Sequence, residues 1–138
     1  MKGRIMAEIK LKKREEMDPA YCWDLSSLFA SDAAFEETER EIEKKIEAFR
    51  SRQGTMKESA EALYRVLSDL DEISRVFSSL YVYASQKYHQ DMGNQKYQGY
   101  AGKMDSMMAV LADAASFVEP EILELDEETV AKFEETYE

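Results

Sequence analysis

The stretch Leu63-YRVLSDLDEISRVFSSLYVY-Ala84 decides the fold. Leu63, Val66, Leu70, Ile73, Phe77, Leu80 and Ala84 recur strictly at spacings of 3 and 4, so their side chains line one face of a helix. No Gly or Pro interrupts the run, and Ser59 ahead of it is a good N-cap. The pattern predicts a helix over about 57–88, much longer than the 3 or so turns of an average one.

A second seam follows. After the polar loop His89-Gln90-Asp91-Met92-Gly93-Asn94, the residues Tyr97, Ala101, Met104, Met108, Leu111, Ala115 and Val118 repeat the alternation by 4 and 3. This predicts a helix over about 95–118 that ends before Pro120. Two matched apolar stripes joined by a short loop hide best against one another, as an antiparallel helical hairpin. The small residues Ala84 and Ala101 sit near the loop, so the hairpin is expected to be tightest there.

Helices flank the hairpin on both sides. Phe35, Ile42, Ile46 and Phe49 share a face over about 32–52, behind the cap candidates Ser31 and Asp32 and before Gly54. Glu36, Glu37, Glu39 and Glu43 load its early turns, where the helix dipole favours carboxylates, and Glu36/Arg40 and Glu41/Lys45 are spaced for pairs on its outer face. The apolar cluster Trp23-Asp24-Leu25-Ser26-Ser27-Leu28-Phe29 predicts an aromatic clamp under the start of this helix. At the other end, Pro120–Leu125 reads as a bridge, and Asp126 caps a short helix over about 126–137 with Val130, Phe133 and Tyr137 on its stripe. The expected fold is an all-α bundle: a basic leader over 1–22, then one helical domain over 23–138.

Composition narrows what such a domain can do. In 138 residues, 18 basic side chains stand against 29 acidic ones, a net charge of −11. That field repels phosphate backbones and anionic lipid, which argues against nucleic-acid or membrane-surface partners. The leader is the exception: Lys2, Arg4, Lys10, Lys12, Lys13 and Arg14 outnumber Glu8, Glu15 and Glu16. It has no sustained apolar core of a signal peptide, and no run approaches the ~20 apolar residues that span a bilayer. A cytoplasmic protein is expected.

Catalytic constellations are scarce. The single cysteine, Cys22, lacks a CxxC partner, and the single histidine, His89, lies at the hairpin tip. HExxH zinc chemistry needs two imidazoles one helical turn apart, so no such site can be written on this chain. No serine sits in a GxSxG context, no Gly-rich phosphate loop follows a strand, and the acidic clusters lack the 12-residue calcium-loop pattern. No catalytic, cofactor-binding or metal-ligating residues are therefore assigned. The one set that could serve as a contact surface is Tyr81, Tyr83, Tyr88, Tyr97 and Tyr100, which brackets the loop from both helices. Its plainer reading is that the five rings fill the tapering end of the hairpin. The methionines, Met104, Met107 and Met108 among them, likewise read as core filling before they read as an adaptable groove.

The order of several segments resembles the N-terminal region of oligoendopeptidase F, a family of helical zinc metallopeptidases that cut short peptides inside a cleft. The resemblance rests on Trp23–Phe29, the helix over 32–52, Ser59-Ala60-Glu61-Ala62-Leu63, Leu80-Tyr81-Val82-Tyr83-Ala84 and Ser116-Phe117-Val118-Glu119-Pro120-Glu121-Ile122-Leu123. It covers about Trp23 to Glu138. It implies a noncatalytic domain that helps wall or cover the peptide-binding cleft, with HExxH and zinc far downstream of anything in this chain. The partner implied is the remainder of the peptidase, and peptide substrate is met only in the intact enzyme. Nine acidic residues against Lys132 from Glu119 onward, and an apolar stripe still running at the end, suggest a chain that continues, or one that self-associates through its C-terminal helix. The alternative from another class is a freestanding acidic helical module that binds a basic or apolar partner surface.

Overall fold

The computed structural model describes residues 12–136. Most of the leader, including its apolar residues Ile5, Ile9 and Leu11, and Tyr137 at the other end lie outside the described residues. Five helices follow in order: α1 Asp32–Phe49, α2 Ala60–Gln90, α3 Gln95–Ala114, α4 Val118–Leu123 and α5 Glu127–Glu135, with short 3-10 turns at Arg14–Glu16, Pro19–Tyr21 and Arg50–Arg52. The described residues contain no strand. None of their helices is long and apolar enough to cross a membrane.

The helix starts are fixed by local chemistry. Ser31, Ser59, Asn94 and Asp126 each stand in extended backbone and accept a hydrogen bond from an otherwise orphaned N–H, those of Ala34, Ala62, Lys96 and Thr129. Asp126 makes the shortest of these, at 2.7 Å. Between α2 and α3 the Asp91 carboxylate accepts from the Gly93 N–H at 3.2 Å, which closes the turn. After α1 and its 3-10 turn, Gly54 takes φ +87°, the left-handed conformation that releases the chain toward α2.

The hairpin of α2 and α3 is as the two seams predict, and α1 packs against both. The direction of α1 follows from its polar partners. On α3 they lie 64, 64 and 63 residues ahead in sequence for Asp32–Lys96, Glu36–Tyr100 and Arg50–Asp113. A constant offset over the length of a helix means parallel packing. On α2 the order reverses, because Asp32 meets Tyr83 whereas Lys45, farther along α1, meets Glu72. The result is an up-down-up three-helix bundle. Its core stacks Phe35, Ile42, Ile46 and Phe49 of α1 on Val66, Ile73, Phe77, Leu80 and Ala84 of α2 and Met104, Met107 and Ala114 of α3.

Three expectations need correction. On α3 the buried face carries Met104, Met107 and Ala114, while Met108 is 45% exposed. The stripe that also covers α1 is rotated toward Met107, because α3 faces two helices and not α2 alone. Trp23 is 80% exposed. It lies beyond the turn in which Asp24 accepts from the Ser26 N–H at 2.9 Å, so the clamp under α1 falls to Phe29, edge-on to Phe35 at 5.8 Å and to Tyr83 at 5.3 Å. The segment around Pro120 is no mere bridge: α3 breaks after Ala114 and α4 starts anew at Val118. Pro120 is the third residue of α4, inside the first turn, where a missing N–H costs no intrahelical bond. Phe117 then packs against Phe49 with tilted rings at 5.4 Å, the Gly54 N–H donates to Glu121, and Lys57 pairs with Glu124.

Candidate functional site

The polar chemistry of the bundle gathers at the hairpin tip, where α1 begins. Asp32 is the first residue of α1, at the positive end of the helix dipole. The Tyr83 hydroxyl donates to its Oδ1 at 2.8 Å, the Lys96 ammonium to its Oδ2 at 2.9 Å, and the Tyr97 hydroxyl reaches the same oxygen at 3.4 Å. Lys87 stands 3.7 Å from Oδ1. One turn on, Glu36 accepts from the Tyr100 hydroxyl and lies 3.6 Å from Lys96. Two turns on, Glu39 and Glu43 share Lys103. Carboxylates at spacings of 4, 3 and 4 on α1 thus face Lys96, Tyr100 and Lys103 at spacings of 4 and 3 on α3.

Aromatic rings form the floor beneath these groups. Phe35 stacks on Tyr83 at 5.2 Å and meets Tyr100 at 4.5 Å, and Tyr97 is edge-on to Tyr100 at 5.9 Å. Lys87 lies 5.3 Å above both Tyr83 and Tyr97, and Lys96 the same distance above Tyr100. Each cation therefore has a carboxylate on one side and a π face on the other.

The titration behaviour of the cluster follows from this geometry. Burial works to raise the Asp32 carboxyl, but the hydrogen bonds from Lys96 and Tyr83, with the charges of Lys87 and Lys96, outweigh it and hold the group below the usual range. The Tyr100 hydroxyl, ahead of Lys96, holds Glu36 down as well. Burial and then the bond to Asp32 push Tyr83 up, and burial and then the bond to Glu36 push Tyr100 up to about 12. The bond to Asp32 raises Lys96. Such phenols stay protonated at neutral pH and act as donors, not as bases or nucleophiles.

The five tyrosines are therefore not one uniform patch. Tyr83, Tyr97 and Tyr100 are brought together, with their hydroxyls on the α1 carboxylates. Tyr81 and Tyr88 stand apart and are half-buried, Tyr81 with its ring 6.1 Å from Phe77 and Tyr88 beside His89 at 5.6 Å. Beside the cluster, a polar depression of about 560 Å³ is bounded by Arg14, Trp23, Asp24, Asp32, Lys87 and Gln90. The sequence reading missed Asp32, Lys87 and Lys96 as members of a site, and placed Glu36 in an outer-face pair with Arg40. The signal was there in the matching 4-and-3 spacings of carboxylates on one helix and of Lys and Tyr on the other.

The described residues do not fit a zinc centre. His89 is exposed at the end of α2, and among the described residues no group of three or more His, Cys, Asp or Glu side chains is placed to hold a metal ion. Cys22 is half-buried, its Sγ 3.4 Å from the Asp18 carbonyl oxygen.

No protein-family profile matches the chain. The chromosomal oligoendopeptidase F of Lactococcus lactis subsp. cremoris is 34% identical over 128 residues, which cover 91% of this chain and 21% of that protein. Among solved structures, a protein of Chlamydophila abortus assigned as a peptidase superposes with a TM-score of 0.72 at 25% identity, over 90% of this chain and 21% of the other. The oligoendopeptidase-F of Enterococcus faecium superposes with a TM-score of 0.67 at 28% identity, over 75% of this chain and 20% of the other. The chain thus spans about a fifth of the length of the curated relatives it matches.

Proposed function

We propose, from the premise that this chain belongs to the oligoendopeptidase F family over about a fifth of its relatives' length, that it is the noncatalytic N-terminal helical domain of a zinc metalloendopeptidase. In the intact enzyme it helps to wall or cover the peptide-binding cleft. The observation that carries this reading is the pairing of near-complete coverage of this chain with one-fifth coverage of the relatives. Zinc and the groups that polarise the attacking water belong to the part of the enzyme outside the matched fifth. This domain would supply shape and contact surface, from a cytoplasmic enzyme acting on short peptides.

The hairpin tip suits that role. Tyr83, Tyr97 and Tyr100 lock α1 to the hairpin, which leaves the rings of Tyr81 and Tyr88, with Trp23 and the polar depression beside Asp32, to meet a peptide or a neighbouring part of the enzyme. A surface that shapes a cleft has to hold its form, and the buried ring stack with its carboxylate partners makes this end rigid.

The test is direct. The purified chain, assayed with a quenched fluorescent peptide and with zinc, is expected to show no turnover. When it replaces the homologous fifth of the Lactococcus lactis enzyme in a chimera, chelator-sensitive peptide cleavage is expected. Cleavage by the chain alone that a chelator abolishes, or a folded chimera without activity, would overturn the reading.

A further inference from the structure

The short helix α5 buries none of its residues. A helix of this length is marginal in water by itself and needs a packed apolar face. What α5 has is half a face. Val130 and Phe133 stand opposite Ala60, Leu63 and Leu67 at the start of α2, and between them runs an apolar groove of about 350 Å³. Leu67 is 41% and Val130 39% exposed, so the groove is open to water along its length. The edge is acidic: Glu134 lines the groove, and Glu127, Glu128 and Glu135 lie on the same helix with Lys132 as its sole cation. Lys132 is itself taken by Glu128 at 2.7 Å.

We propose that this groove is the docking surface for the part of an oligoendopeptidase F polypeptide outside the matched fifth, and that its occupant is an apolar ridge flanked by Lys and Arg side chains. The inference rests on the family reading. In the relatives, four-fifths of the polypeptide adjoins a segment like this one, and an open apolar groove of this kind offers it a place to pack. The charge fixes the chemistry of the occupant. Four glutamates on nine residues of α5 would repel an acidic ridge and attract a basic one, and the attraction strengthens as the groove is dehydrated. Burying Leu67 and Val130 gives α5 the partner that it lacks.

The experiment uses the same chimera, with a photoreactive benzoylphenylalanine placed at Val130. Irradiation and peptide mapping are expected to find capture by a stretch of the same polypeptide outside the 138-residue segment, apolar in the middle and with Lys or Arg at its flanks. Leu67→Asp, at a position already two-fifths exposed, is expected to leave the helical content of the chain alone unchanged and to reduce this capture about tenfold. Capture by the segment's own helices, or none in an active chimera, overturns the groove proposal and leaves the family reading standing. A concentration-dependent dimer of the 138-residue chain that Leu67→Asp abolishes also overturns it, by giving the groove to a second copy. A folded chimera without activity overturns the reading of the chain as this enzyme's domain, and the groove proposal falls with it.

Discussion

Lys103 on α3 reaches across to the carboxylate of Glu39 on α1, and Glu39, 5% exposed, is the only charged residue buried among the described ones. The bond to Glu39 raises the Lys103 ammonium, whose own side chain is half in water. Removing the cation strands a buried carboxylate, whereas removing both partners leaves an apolar contact. Lys103→Met is therefore expected to destabilise the chain by about 2 kcal/mol, below the range for fully buried pairs because of that exposure. Adding Glu39→Leu should recover most of the loss. Urea midpoints of the two variants decide it, and a double variant no better than the single one would count against the pair.

The hydroxyl of Tyr83 donates to the Asp32 carboxylate, so Tyr83→Phe keeps the ring stack and deletes one charge-assisted bond. A loss of about 1.5 kcal/mol is expected at neutral pH. Asp32 is held low in the folded chain, so the stability it contributes is present above the unfolded carboxylate value near ~4 and is lost as pH falls through the folded one. The gap between wild type and Asp32→Asn should accordingly be constant from pH 6 to 8 and close on acidification below about pH 4. Thermal melts across that range measure it.

The phenols set the alkaline limit with the opposite sign. Tyr100 is pushed up to about 12, and the stability that goes with its protonated form is present below the unfolded phenol value near ~10 and lost as pH rises through the folded one. Absorbance at 295 nm during an alkaline titration should contain a late component near pH 12, or one that appears together with loss of helix. In Tyr100→Phe that component should shrink by one phenol. An unchanged titration in the variant would contradict the assignment.

The rotated stripe of α3 predicts different outcomes at adjacent methionines. Met104 is fully buried and Met108 is 45% exposed. Met104→Ala should cost about 2–4 kcal/mol through lost burial and the cavity left behind, and Met108→Ala less than about 0.5 kcal/mol. Equal costs at the two positions would restore the register read from the sequence.

Glycine substitutions should split by sign. Gly54 sits at φ +87°, so Gly54→Ala is expected to cost about 1 kcal/mol. Gly99 and Gly102 are exposed within α3, and an added Cβ meets nothing within 4 Å at either. Gly99→Ala and Gly102→Ala should each stabilise by roughly 0.5–1 kcal/mol. Denaturant midpoints at constant slope would report both directions.

The hairpin was legible because its signal is a long uninterrupted period: Leu63 to Ala84 names its own buried face, and Ser59 its start. The α3 register was less legible. A 4-and-3 pattern through Ala101, Met104, Leu111 and Ala115 admits either Met107 or Met108, and only the presence of α1 on the second side decides between them. The polar cluster was hidden for another reason. Asp32 and Glu36 satisfy the expectations for a helix start and a solvated face so well that nothing local marks them as interhelical acceptors. Their partners lie 51 to 65 residues away, and Tyr83, read as ring filling, spends its hydroxyl on one of them. Trp23 misled because its size promised burial and its position behind the Asp24 turn denied it.

The parallel packing of α1 on α3 bears on how the chain reaches its native state. Contacts between α2 and α3 close across a four-residue turn, while those between α1 and α3 must wait until the whole of α2 lies in place, and bridging some 64 residues carries a larger loop-closure entropy. The hairpin contacts are thus expected to form ahead of those between α1 and α3. Changes at Lys96 and Lys103 should therefore speed unfolding more than they slow folding, so that the ion pairs of α1 set how long the folded state lasts.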